Sequence, residues 1–220
     1  MMSCSSLRYA AGLADVLAAT GDEQIVGCET FGPAPLLDDY PGLFWYGIHA
    51  AEMLFAALGP GCRQVQCLAR PGMDVVLGDW VDERTGVMRG TRAGAREFGY
   101  VLHTASGVRC GLADATSATT ARLLADILAF FRSGRSPVDL AMTFEIIAFL
   151  EATEASRGQD GRPVDETRIH SDQGDARLAV VEHYRPDLAG IVKAAVVGLA
   201  IAARLFHAEI GGDVAFGEPG

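Results

Sequence analysis

Residues 62–113, CRQVQCLARPGMDVVLGDWVDERTGVMRGTRAGAREFGYVLHTASGVRCGLA, decide the fold. They divide into five short strand candidates, CRQVQCLAR, MDVVLGDWV, GVMRGTRA, EFGYVLHTA and VRCGLA. The breaks fall at Pro71-Gly72, Arg84-Thr85-Gly86, Gly94 and Ser106-Gly107. Connections this short leave no room for a helical crossover, so neighbouring strands are expected to run antiparallel, as a meander. Upstream, residues 24–31 (QIVGCETF) alternate as a further strand, followed by a proline-rich loop, GPAPLLDDYPG.

Helical spacing frames this sheet. Residues 5–20 carry Leu7, Ala11, Ala14, Leu17 and Ala18 at helical intervals and stop at Gly21. Residues 43–58 form the most informative helix, closed by Gly59-Pro60-Gly61. Residues 116–132 and 141–156 read as amphipathic helices joined by SGRSPVD. The predicted class is α+β: a largely antiparallel open sheet with helices packed on one face, plus a C-terminal helical segment. Three regions follow: a domain over 1–164, a polar Gly- and Asp-rich linker over 165–175, and helices over 176–220 divided at Pro186.

Composition narrows the partners. The 220 residues hold 28 acidic and 18 basic side chains, a net charge of -10, and Lys193 is the sole lysine. Such a surface repels phosphate backbones and anionic lipid, so neither nucleic acid nor membrane is expected as a partner. The apolar run 189–206 is interrupted by Lys193 and Arg204 and rich in alanine, and reads as a buried or subunit-packing helix. Five cysteines without a C-x-x-C pair suit a reducing cytoplasm and offer no zinc-ligand spacing, so no metal site is expected.

On the helix over 43–58, Phe44, Ile48, Ala51, Phe55 and Leu58 share one face, expected to pack on the sheet. His49 and Glu52 lie together on a different face beside Trp45, Tyr46 and Met53. A carboxylate beside an imidazole raises its pKa and orients its ring, the arrangement a general acid or base needs. A partly buried histidine satisfied by a neighbouring glutamate accounts for the same spacing, and both readings stand at this point. His103 reads as a packed strand histidine and Trp80 as core or interface. His170, His183 and His207, among acidic residues, read as solvated surface.

Three segments carry a resemblance: SSLRYA at 5–10, GPAPLLDDYPGLFWYGIHAAEMLFAALGPG at 32–61 and FRSGRSPVDLAMTFEIIAFLEATEASRGQDGRPV at 131–164. Together they resemble the substrate-side, C-terminal half of Gfo/Idh/MocA family NAD(P)-dependent oxidoreductases, over about residues 5–164. The resemblance implies that Gly47, Ile48 and His49 form the family's Gly-x-His element, with His49 acting on a sugar or polyol hydroxyl and Glu52 tuning it. It implies Trp45 and Tyr46 as further substrate contacts, with Phe44 beside them, and an open sheet that mediates homo-oligomers.

The family's G-x-G-x-x-G fingerprint has no match here, because Gly59-Pro60-Gly61 follows a helix and lacks the third glycine. Its Glu-Lys-Pro lysine has no counterpart, and Lys193 lies elsewhere. No cofactor-binding residue is therefore expected in this chain, and NAD(P) would come from a separate nucleotide-binding partner. The alternative is a non-catalytic relative serving as a homo-oligomeric assembly or ligand-binding module.

Overall fold

The computed structural model describes residues 2–38 and 41–165. A short 3-10 turn, Ser6–Tyr9, leads into α1, Ala11–Thr20, and then β1, Ile25–Pro33. A second 3-10 turn, Gly42–Phe44, precedes α2, Ile48–Leu58. The strands β2 (Cys62–Arg70), β3 (Met73–Trp80), β4 (Thr85–Thr91), β5 (Gly99–Thr104) and β6 (Gly107–Leu112) follow. The helices α3 (Ser117–Ser133) and α4 (Leu140–Gly158) come next, and β7 (Val164–Asp165) ends the described chain. The run 189–206, the helices over 176–220, the linker beyond Asp165 and His170, His183 and His207 lie outside the described residues. No helix among the described residues is long and apolar enough to cross a membrane.

The class is α+β, and the strand order β6-β5-β1-β4-β3-β2-β7 corrects the meander. β1 lies between β4 and β5, antiparallel to β5 but parallel to β4, from Gly27 opposite Thr85 to Pro33 opposite Thr91. A short connection between β4 and β5 does not require the two to touch. Crossing one intervening strand means spanning about 10 Å, which residues 92–98 cover with ease. The polar stretch after α4 is likewise not all loop, because Val164 and Asp165 pair with Val65 and Gln64 at the sheet edge.

The helices begin later than their spacing suggests. Ser5 caps the first 3-10 turn by accepting the Leu7 N–H, and Ala10, in extended conformation, separates that turn from α1. Residues 45–47 likewise divide the second 3-10 turn from α2. A Cβ at Gly47 would sit 2.8 Å from that of Leu43, so a glycine is needed where the chain doubles back. α3 and α4 start where Thr116 and Asp139 accept N–H bonds from Thr119 and Ala141.

One sheet face is covered, by α2 over β1 and β4 and by α4 over β2. The core centres on Phe55, whose ring lies 5.4 Å from Trp80 and 5.6 Å from Phe149, centroid to centroid. Trp80 is fully buried and donates its indole N–H to the Gly59 carbonyl. Its ring fills the space that side chains at Gly78 and Gly86 would occupy, so these two glycines make room for it. Among the described residues no helix lies on the opposite sheet face, which presents Leu68, Leu77, Val108, Cys110 and Leu112 as exposed side chains. His103 lies on that face, 3.5 Å from Glu29.

Candidate functional site

α2 is buried almost all round, and the expected apolar face is part of a wider contact: Ala50, Met53 and Leu54 join Ala51, Phe55 and Leu58 in the core. This leaves His49 half-buried at the first turn, where its ring meets two aromatic neighbours edge to face. Tyr46 lies 5.0 Å and Phe98 6.0 Å away between ring centroids. Burial holds the imidazole below its ordinary pKa, so the neutral ring is favoured.

The partner of His49 is not Glu52. Nδ1 lies 2.8 Å from the Ser5 hydroxyl oxygen, which also accepts the Leu7 N–H at 3.1 Å. Glu52 is buried and accepts a 3.0 Å bond from Arg8 Nε, and it also takes a backbone N–H from Ser5. Burial pushes its carboxyl upward, while Arg8 and the Ser5 N–H pull it back. The expected direct tuning of His49 by Glu52 is therefore corrected: both side chains are joined to the segment 5–8, Glu52 through its main chain and Arg8, His49 through the Ser5 hydroxyl. Neighbouring positions on one helix face serve two different partners because that segment lies across the face.

Beside His49 is a cavity of about 510 Å3, lined by Pro33, Pro35, Trp45, Tyr46, Thr91 and the loop 92–96. Trp45 and Tyr46 thus stand together at its wall. His49 is not a lining residue; Tyr46 connects them, lining the cavity while its ring abuts the imidazole. Glu52 does not line it either. Arg92 belongs to the wall but is occupied: it donates twice to the fully buried Asp74, at 2.6 and 3.1 Å, and to the carbonyls of Arg70 and Pro71. Arg157 reaches the same carboxylate at 2.7 Å. Burial alone would raise the Asp74 pKa, yet the bonds from the two guanidinium groups outweigh it and hold the group below its ordinary value.

Sequence reasoning missed Ser5 and Arg8 as partners of the site, although both stand in the quoted SSLRYA, because a separation of 44 positions leaves no local pattern. It also missed Thr91 and the loop 92–96, whose one available signal was two arginines in TRAGAR within a strongly acidic chain.

A dinucleotide needs backbone N–H groups converging at a tight glycine turn between a strand and a helix. The passage from β1 to α2 instead carries Pro35 and Pro41, which have no N–H, and spans residues 34–47. The passage from β6 to α3 brings Asp114 and no glycine. Among the described residues neither turn fits a diphosphate, and no group of three or more His, Cys, Asp or Glu is placed to hold a metal.

No family model and no curated protein matches this sequence. Solved structures do share its fold, among them an oxidoreductase and a dehydrogenase with NAD bound. GenD2 from gentamicin A biosynthesis, in complex with NAD, is 16% identical, with a TM-score of 0.62 over 73% of this chain and 62% of that one. A probable dehydrogenase from Thermotoga maritima is 15% identical, with a TM-score of 0.60 over 74% of this chain and 64% of that one. Scyllo-inositol dehydrogenase from Lactobacillus casei, with NAD(H) and scyllo-inositol bound, is 13% identical, with a TM-score of 0.55 over 74% and 62%. The chain spans less than two thirds of the length of each of these structures. The protein shares their architecture, as a likeness of fold.

Proposed function

We propose that this chain is the substrate-side part of an oxidoreductase acting on a sugar or polyol. The observation that carries this reading is the cavity walled by Trp45 and Tyr46, with Tyr46 set against His49. Aromatic faces bind the C–H faces of sugar rings, and Trp45 is 43% exposed. His49, set behind Tyr46, is the acid or base of this reading: the Ser5 hydroxyl holds its Nδ1 at 2.8 Å, and burial favours the neutral ring. Glu52 contributes indirectly, by fixing Arg8 and the Ser5 main chain. Hydride transfer needs NAD(P), which a separate nucleotide-binding partner would hold, and the NAD-bound neighbours support that choice of carrier. The free thiols of all five cysteines fit a cytoplasmic setting.

A second reading, a homo-oligomeric assembly or ligand-binding module, is favoured by the uncovered sheet face with its exposed Val108 and Leu112. Association through that face is compatible with both readings. Titrating the purified chain with myo-inositol and following the Tyr46 and His49 ring resonances tests the first. Both should shift and saturate together, and Tyr46→Ala should abolish the response. Resonances unmoved at saturating polyol would leave the assembly reading.

A further inference from the structure

The cavity wall has a charge that a neutral sugar does not explain. In a chain with ten more acidic than basic residues, the described residues of its lining include two arginines and no carboxylate. The two differ in what they can still do. Arg92 is consumed by Asp74 and two main-chain carbonyls, and its charge is balanced within the cluster of Asp74, Arg157 and Glu154. Arg96 is exposed and makes no hydrogen bond or ion pair with any described residue. Thr91 spends its hydroxyl hydrogen on the Gly32 carbonyl. The lining therefore offers a ligand one aromatic pair and one unspent guanidinium, whose planar fork matches carboxylate or phosphate oxygens.

We infer that the cavity takes an anionic sugar or polyol, its ring against Trp45 and Tyr46 and its carboxylate or phosphate on Arg96. This rests on the sugar-binding reading above and names the substrate class within it. An uncharged ring alone would leave the guanidinium idle at the wall. A bare anion would make no use of the aromatic pair.

The chain reports its own occupancy. It contains two tryptophans, Trp45 at the cavity and Trp80 fully buried, so ligand-dependent emission changes belong to Trp45. The probes are D-glucose, D-glucuronate, glucose 6-phosphate and inorganic phosphate, titrated into the full chain. At least one anionic sugar should saturate at about a tenfold lower concentration than glucose, a preference that one charge-assisted contact supplies. The carboxylate and phosphate arms show which anion is preferred. Arg96→Gln should bring the anionic sugars to the level of glucose without changing glucose itself, and Arg96→Lys should retain part of the preference. Because Arg96 is exposed and bonds to no other described residue, neither variant should lose its fold.

Equal saturation by charged and neutral sugars, or a preference that survives Arg96→Gln, overturns the anionic class and leaves sugar binding intact. Inorganic phosphate binding as tightly as glucose 6-phosphate also overturns it, because the ring would then contribute nothing. If no sugar perturbs Trp45 and polyol leaves Tyr46 and His49 unmoved, the sugar-binding reading fails as well.

Discussion

The hydroxyl oxygen of Ser5 lies 2.8 Å from Nδ1 of His49, across 44 positions of sequence. Because that oxygen also accepts the Leu7 N–H, one side chain caps a turn and orients an imidazole. Ser5→Ala should cost about 1 kcal/mol of stability, as a lost cap does, measured by urea unfolding. It should also change the balance of the His49 ring proton between Nδ1 and Nε2, read from imidazole nitrogen shifts. An unchanged tautomer would separate Ser5 from any positioning role.

Arg8 and Glu52 form a buried pair, their side chains 14% and 5% exposed. Removing one member strands the other away from water, so Glu52→Gln should destabilise by about 3 kcal/mol. Replacing both, with Arg8→Met and Glu52→Leu, should be milder than the sum of the single changes, because neither charge is left alone. A double-mutant cycle checks this, and strict additivity would count against the pairing.

Acid should weaken the fold through His49. Its folded pKa is lowered from 6.5 by burial, so the unfolded chain takes up the proton more readily. The contribution is complete above about 6.5 and is lost as the pH falls from there to the folded value. Glu52 acts in the other direction at lower pH: its folded value is raised above 4.5, so its contribution is gained as the pH falls through that raised value. Comparing unfolding of the wild type and His49→Gln across pH 5–8 isolates the imidazole, and the variant should show the flatter profile.

Asp74 ties the cavity loop to α4 through Arg92 and Arg157. Asp74→Asn removes the charge both guanidinium groups face and should cost about 3 kcal/mol. Because the folded pKa lies below 3.8, the wild type should lose this contribution as the pH drops from about 4 through the folded value. The variant should lack that step in acid titrations of stability.

If the open sheet face joins two copies, a charge at its centre of exposure should separate them. Leu112 is 53% exposed and contributes little to the monomer's own core. Leu112→Asp should convert a dimer to a monomer in sedimentation velocity while leaving the circular dichroism unchanged. A wild-type chain that sediments as a monomer would remove this face from the interface.

Local patterns in the sequence disclosed most elements and little of their arrangement. The runs around Val65, Val76, Met88 and Leu102 alternate cleanly because one sheet face is covered and the other is not. The insertion of β1 was hidden because its partners, such as Thr85 and Thr104, lie far along the chain. At the site, Trp45 and Tyr46 were legible as an aromatic pair, though they stand in the turn before the helix that carries His49. Glu52 was placed on the right face and given the wrong partner, because helical spacing describes one element and Arg8 arrives from another. The arginine loop was invisible, since nothing local to 92–96 says which wall it will form.

The central ladder has a consequence for how the chain comes into being. Residues 25–33 leave the ribosome long before residues 85–104 exist, yet they find both neighbours there. Until Thr91 is synthesised, β1 has two unsatisfied edges and α2 only part of its floor, and one edge stays open until Thr104. Assembly must therefore be late and collective, and a nascent chain stalled before β5 would be the species most in need of a chaperone.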